Sequence, residues 1–118
     1  MRLLKSFKGL KDENVVLLII GDKRNDQLEL FEEFKSKIGE NVHYLGVKEN
    51  IGDYLACSDA FVLSSDFEGL PISLLEAISM GVVPICTPVG GIKEVIESNK
   101  IGFLSTELTS HALRDQVL

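Results

Sequence analysis

An α/β fold, a parallel sheet with helices on both faces, is expected from three features of this 118-residue sequence. Apolar residues switch between two patterns along the chain: helical spacing, and short continuous runs rich in β-branched residues, as in strands buried on both faces. The two patterns alternate through short connections, which is how parallel strands and their crossover helices read. Glycine recurs where the strand runs end, at Gly21, Gly46 and in the connection that follows Thr87, where the chain must leave the sheet.

The elements follow in order. Leu3, Leu4, Phe7 and Leu10 recur at helical spacing, so the chain opens in an amphipathic helix. Val15 to Ile20 is a continuous strand run closed by Gly21-Asp22. Leu28, Phe31, Phe34 and Ile38 form the next helical stripe, stopped by Gly39 at the position of a C-cap. Val42 to Leu45 predicts a short strand ending at Gly46, and Asn50 is placed to cap a helix with Ile51, Tyr54 and Leu55 on its inner face. Ala60 to Leu63 is the next strand, followed by the loop Ser64 to Gly69. Pro71 suits a first helical position, where its missing N–H costs nothing, and Leu74, Leu75, Ile78 and Val82 are expected to bury that helix, with Gly81 relaxing its last turn. Pro84 to Thr87 predicts a strand. Gly90-Gly91 introduces a helix carrying Ile92, Val95 and Ile96, then Gly102 to Leu104 a last short strand, and a further helix near Thr109 or Ser110.

One small domain, residues 1–118, is what this length holds. Its 45% hydrophobic and 25% charged residues are those of a globular chain, which sets disorder aside. The net charge of −6, without a basic cluster, argues against nucleic acid, whose phosphates need several Lys and Arg partners. Lys5, Lys8 and Lys11 read as a solvated helix face. No apolar run nears the ~18 residues that span a bilayer. The basic N-terminus lacks the h-region and cleavage site of a signal peptide. A cytoplasmic location is therefore expected. Cys57 and Cys86 sit in apolar runs and read as buried, inert thiols.

In parallel α/β sheets, ligands bind beyond the carboxyl ends of the strands. The segments to watch are Gly21-Asp22, Gly46-Val47-Lys48, Ser64 to Leu70 and Thr87 to Gly91. The most informative stretch runs from Glu68 to Glu76. It sets one carboxylate before a helix and a second inside it, roughly 7 Å along the axis from Pro71 at ~1.5 Å per residue. Between them lies a helix N-terminus, whose free N–H groups and partial positive charge favour phosphate. A nucleoside diphosphate sugar has this layout, with sugar hydroxyls, diphosphate and ribose hydroxyls in line; carboxylates accept from the hydroxyls and N–H groups donate to the phosphates. Spacing alone leaves open that Glu68 merely complements the helix dipole and that Glu76 faces solvent.

The stretch from Ser64-Ser65-Asp66-Phe67-Glu68-Gly69-Leu70-Pro71-Ile72-Ser73-Leu74-Leu75-Glu76-Ala77 through Gly81-Val82-Val83-Pro84 strongly resembles the signature of the group 1 retaining glycosyltransferases. The resemblance continues through Thr87-Pro88-Val89-Gly90-Gly91-Ile92-Lys93-Glu94-Val95-Ile96. It also takes in Ile19-Ile20-Gly21-Asp22, Val42-His43-Tyr44-Leu45-Gly46 and Ser58-Asp59-Ala60-Phe61-Val62, in the family's order. It implies a Rossmann-like domain, the C-terminal half of a GT-B fold, which binds the nucleotide-sugar donor. It implies that Glu68 holds donor-sugar hydroxyls as the catalytic-site carboxylate and that Glu76 holds the ribose. Backbone groups around Gly69, Leu70, Pro71, Ile72 and Ser73 would meet sugar and diphosphate. Pro71 has no N–H, so Ile72 and Ser73 are the donors, with the Ser73 hydroxyl able to add another bond. By the same resemblance, Val47 and Lys48 border the nucleobase.

The family retains anomeric configuration and needs neither metal nor cofactor. In agreement, His43 and His111 stand apart, and Asp22, Asp59 and Asp66 share no tight motif. Glu68 is not expected to be a covalent nucleophile, since that two-carboxylate chemistry needs its partner about 5 Å away and Glu76 should be farther. Orientation of the sugar and electrostatic support for oxocarbenium charge are the roles the resemblance leaves it.

Two departures qualify the match. Gly69-Leu70-Pro71 stands where many members have Gly-Phe-Gly or Gly-Phe-Pro, which removes an aromatic beside the sugar. The family's first C-domain strand, with an Arg and a Lys that clamp the diphosphate, is expected before Met1, between the Val15–Ile20 and Ala60–Leu63 strands in the sheet. Direct pairing of those two strands, or strand exchange in a dimer, is the expected compensation. The acceptor is assigned to an N-terminal domain, so these residues alone are expected to be inactive; the full-length enzyme could sit peripherally at a membrane. Two alternatives stay in play: a nucleotide-sugar epimerase of the GT-B type, and a non-catalytic flavodoxin-like module. For the latter, Asp22 and Lys93 mimic part of a receiver site, but its adjoining acidic pair is missing.

Overall fold

The computed structural model of the chain describes residues 14–22, 29, 32, 41–65 and 69–105, in two compact units, 1–49 and 50–118. The expected opening helix, all but Glu29 and Glu32 of the Leu28–Ile38 helix, and the helix near Thr109 lie outside the described residues; Glu29 and Glu32 are helical.

In the first unit β1 (Leu17–Ile20) and β2 (Val42–Gly46) pair in parallel, from Leu17↔Val42 to Ile19↔Tyr44, with a register shift before Ile20↔Gly46. The strand expected from Val15 begins later because Asn41 occupies its start. The Asn41 side-chain amide donates to the Val15 carbonyl at 3.0 Å, and the Leu17 N–H donates to the Asn41 carbonyl at 2.8 Å. At the other end the Gly21 N–H reaches the Gly46 carbonyl at 2.9 Å, and the Tyr44 hydroxyl donates to the Gly21 carbonyl at 2.6 Å. The two strands therefore leave the sheet tied together.

The second unit runs α1 (Ile51–Ala56), β3 (Ala60–Leu63), α2 (Ile72–Ser79), β4 (Val83–Cys86), α3 (Gly91–Asn99) and β5 (Phe103–Leu104). Its strands form a parallel sheet in the order β3-β4-β5, with Ala60↔Val83 to Leu63↔Cys86 on one side of β4 and Ile85↔Phe103, Cys86↔Leu104 on the other. The expected pairing of Val15–Ile20 with Ala60–Leu63 concerns strands of different units; within the units β1 pairs with β2, and β3 with β4. Each of these ladders joins strands consecutive in sequence, which is the cheaper loop closure.

Pro84 to Cys86 are buried in the middle strand, and α2 packs on β3 and β4. Leu74, Cys86, Ile92 and Ile96 form one core cluster, onto which Phe61, Leu63, Ile78, Val89 and Leu104 pack; Leu55, Ala77 and Val82 form a second, with Ile51 and Phe61 against it. The α2 helix thus buries Leu74 and Ala77, not Leu75, which is 42% exposed. Helical phase explains this: Leu74, Ala77 and Ile78 share a face that Leu75 leaves.

Three local expectations are corrected. Pro71 is the N-cap, extended at φ −72 and ψ 131, one residue before the helix. Asn50 precedes α1 without a side-chain cap; its amide donates to the Asp53 carboxylate at 3.1 Å, so the two polar side chains satisfy each other. Gly81 does more than relax α2. Its N–H donates to the Ile78 carbonyl at 3.0 Å and the Val82 N–H to the Ala77 carbonyl at 3.0 Å, with Gly81 at φ +73. That is a Schellman cap, and Val82 and Ala77 share one apolar cluster beneath it. Nothing lies within 4 Å of a Cβ built there, so Gly81→Ala meets only the left-handed backbone penalty. It is expected to destabilise by about 1–2 kcal/mol, with Gly81→Asn costing less, as read by thermal unfolding. Equal melting for all three would remove the cap from the account.

The thiols also divide. Cys57 is exposed and donates to the Tyr54 carbonyl at 3.2 Å, so the expectation of two buried thiols fails for it. It sits just past the end of α1, outside the face that buries Leu55. Cys86 is fully buried; desolvation pushes its thiol up to about 12, against a smaller lowering from a hydrogen bond with the Leu63 backbone. A thiol reagent should modify Cys57 in the folded chain and Cys86 only on unfolding. The unfolded thiol ionises first, so this group's contribution is intact below its ordinary value of 9.0 and is lost as pH rises toward about 12. Rapid labelling of both thiols in the native chain would contradict the burial of Cys86.

Candidate nucleotide-sugar site

Ser64, Ser65 and Thr87 follow the carboxyl ends of β3 and β4. Past Leu63 the chain continues through half-buried Ser64 and Ser65, and past Cys86 through Thr87, which is fully buried. The Thr87 N–H donates to the Leu63 carbonyl at 3.0 Å, continuing the ladder by one rung. Its hydroxyl donates to the Ser65 carbonyl at 2.6 Å. The Val89 N–H then returns to the Thr87 carbonyl at 2.9 Å, a tight reversal centred on Pro88, whose ring presets a suitable φ. The reversal brings the Gly91 N–H, at the start of α3, to the Gly69 carbonyl at 2.8 Å.

Gly69 and Leu70 are exposed, Pro71 is half-buried and α2 begins at Ile72. The Leu74 N–H turns back to the Pro71 carbonyl at 3.2 Å, which leaves Ile72 and Ser73 as the outermost N–H groups of the helix. Pro71, the N-cap, offers no side-chain hydrogen bond to cap that end, and no acidic residue stands in the first turn. Ile72, Ser73 and Glu76 are all exposed. Ile72 and Glu76 lie four residues apart and so share one face, away from the face that carries Leu74 and Ala77. The structure thus gathers Gly69, Leu70, Pro71, Ile72, Ser73 and Glu76 around one open helix N-terminus. Glu68 lies outside the described residues, as do Asp66 and His111.

Val47 and Lys48 belong to the first unit, directly after β2. Val47 is 69% exposed and Lys48 half-buried, beside the tied ends of β1 and β2. Reading the sequence alone overlooked Thr87, Gly91 and Tyr44 as the groups that fix these strand-end segments. A hydroxyl closing an otherwise apolar strand, as Thr87 does, was the one available signal. Among the described residues no three His, Cys, Asp or Glu side chains gather in a way that could hold a metal ion, and no helix is long and apolar enough to cross a membrane.

The sequence model of the family described as "Glycosyl transferases group 1" matches residues 1–118. The chain belongs to the group 1 glycosyltransferases. Within that family it is 35% identical over 111 residues to the N-acetyl-alpha-D-glucosaminyl L-malate synthase of Bacillus anthracis, covering 94% of this chain. It is 28% identical over 113 residues to the glycogen synthase of Bacillus cytotoxicus, covering 89% of this chain. The chain spans 29% of the length of the first and 24% of the second.

Solved structures share the fold. HepE of Anabaena, crystallised in complex with UDP, superposes with a TM-score of 0.82 at 22% identity, over 97% of this chain and 33% of that one. The C-terminal domain of the group 1 glycosyltransferase LpcC from Francisella tularensis gives 0.85 at 19% identity, over 98% of this chain and 65% of that one. This group 1 glycosyltransferase chain therefore has the Rossmann-like α/β architecture of GT-B proteins.

Proposed function

We propose that the chain is the donor-binding part of a retaining glycosyltransferase that moves a sugar from a nucleoside diphosphate sugar to an acceptor. The observation that carries this is the N-terminus of α2, with Ile72 and Ser73 exposed, no cap from the Pro71 side chain, and Glu76 exposed on the same helix. Glu76 lies about 6 Å along the axis from Ile72 at ~1.5 Å per residue, far enough to accept from ribose hydroxyls while the helix end donates to phosphate. The partial positive charge of that end adds to the attraction.

Glu68 is assigned the donor-sugar hydroxyls and support of the developing oxocarbenium charge, and Val47 and Lys48 the border of the nucleobase. Residues 1–118 would act as one nucleotide-sugar-binding domain. Because the chain spans only 29% of the Bacillus anthracis relative, turnover and acceptor binding are assigned to proteins of that fuller length. A cytoplasmic setting, where nucleotide sugars are the donors, suits this activity. The family match over residues 1–118 favours transfer over the epimerase and receiver alternatives.

Titration calorimetry of the folded chain with UDP, GDP and ADP tests the proposal, UDP first because the fold-matched HepE structure holds it. One nucleotide is expected to bind with Kd of about 1 mM or tighter, and Glu76→Ala to weaken it at least about tenfold, ~1.4 kcal/mol. Failure of a folded chain to bind any of the three, or an unchanged Kd in Glu76→Ala, would falsify the donor-site assignment.

A further inference from the structure

We propose that Thr87 is a positioning residue for the donor site, holding the β3–α2 connection in place through its hydroxyl while the Gly91 N–H holds the far end. Its consequence for ligands rests on the donor-site assignment above; the clamp itself does not.

Thr87 stands where the apolar run of β4 ends, and it is fully buried. A buried hydroxyl needs an acceptor, and this one takes the Ser65 carbonyl at 2.6 Å. Ser65 lies two residues beyond Leu63, the last ladder partner of β4, so backbone pairing has stopped there and the side chain extends it. The backbone N–H of the same residue is already engaged with the Leu63 carbonyl at 3.0 Å. One residue thus anchors both the end of β3 and the chain beyond it.

The second anchor depends on the first through a short piece of chain. From Thr87 the tight reversal across Pro88 delivers the Gly91 N–H to the Gly69 carbonyl at 2.8 Å. A Cβ built on Gly91 would come 3.1 Å from that oxygen and 3.4 Å from the Leu70 Cβ, so the two backbones are in close contact at this point. The connection is therefore held at Ser65 and at Gly69 by residues of a single strand-to-helix turn. Two residues past the second anchor lies Pro71, and α2 begins immediately after it. The direction in which the Ile72 and Ser73 N–H groups point is set by these anchors and by the burial of Leu74. Thr87 itself is fully buried and needs to touch no ligand to act.

Hydrogen exchange of the full 118-residue chain separates this role from a general contribution to folding. Thr87→Val keeps the volume and the backbone N–H but removes the hydroxyl; Thr87→Ser keeps the hydroxyl. In Thr87→Val the Gly91 amide, which reports the far anchor, is expected to exchange at least about tenfold faster, ~1.4 kcal/mol. The Ser105 amide, bonded to the Cys86 carbonyl at 2.9 Å on the other side of β4, should keep its protection. Thr87→Ser should restore the Gly91 amide. Unchanged exchange at Gly91, or equal acceleration at Gly91 and Ser105, overturns the clamp, the second because it marks only lost stability. With UDP as the probe, Thr87→Val should weaken binding by a similar factor and Thr87→Ser should recover it. A wild-type chain that binds no nucleotide sinks the donor-site assignment, while the exchange result still decides the clamp.

Discussion

Gly102→Ala is expected to unfold the β3–β5 unit at a temperature at least about 12 °C below the wild type, a loss of roughly 3 kcal/mol or more. Gly102 precedes β5, and a Cβ built on it would run into the Pro84 carbonyl and ring. Neither obstacle can rotate away. Pro84 is fully buried in the middle strand, and its carbonyl belongs to the backbone of that strand. Proline has no N–H to offer a neighbour, and the β5 ladder accordingly starts one residue later, at Ile85↔Phe103. Only a residue without a side chain fits opposite the ring. To admit a methyl group, β5 would have to move off β4, which costs the ladder and the bond from the Ser105 N–H to the Cys86 carbonyl at 2.9 Å. Thermal unfolding followed by circular dichroism checks this. A melting point within a degree or two of wild type would mean that β5 is not held where the structure puts it.

The elements were legible because the apolar runs are unambiguous. Ala60–Leu63 carries four apolar residues between polar flanks, and its observed bounds match the expected ones. The α3 helix was legible through Ile92 and Ile96, which are buried at 0% and 3%. Pairing between distant segments is less legible. Nothing in the run Val15 to Ile20 encodes which strand lies beside it, and its partner β2 begins only at Val42. Cys57 failed for a smaller reason: a thiol beside Ala56 and Leu55 looks apolar in sequence, but it follows the last turn of α1 and is exposed.

The site divides in the same way. Gly69 to Ser73 and Glu76 are close in space because they are close in sequence, so a motif could present them as a group. The bond from Thr87 to Ser65 joins residues 22 positions apart, and no local pattern announces it. The same holds for Tyr44, whose hydroxyl reaches the Gly21 carbonyl across 23 positions. The residues proposed around the α2 N-terminus thus come from a contiguous signature, whereas the bonds that hold the strand-end segments are set by tertiary neighbours. The position of Pro71, one residue outside α2, makes the point at finer scale. Its preset φ suits either the N-cap or the first turn, and only the observed ψ of 131 separates the two.

Leu74→Ala and Leu75→Ala, adjacent substitutions of the same residue type, are expected to differ by several kcal/mol. Leu74 is fully buried, with Cys86, Ile92 and Ile96 in its cluster and Phe61 and Leu63 packed against them. Truncating such a leucine costs about 2–5 kcal/mol, part lost transfer energy and part cavity. Leu75 is 42% exposed on the other side of α2, and its truncation should cost less than about 1 kcal/mol. The difference carries into function because Leu74 sits in the first turn of α2, in the turn that offers the Ile72 and Ser73 N–H groups. With a cavity beneath that turn, the helix end loses its fixed direction. UDP affinity in the folded fraction of Leu74→Ala should fall along with stability, while Leu75→Ala should bind as the wild type does. Urea unfolding of the pair, followed by calorimetry below the transition, gives both quantities. Comparable destabilisation by the two substitutions would mean that α2 is rotated from the phase described, and the face that Ile72 and Glu76 share would then no longer be the open one.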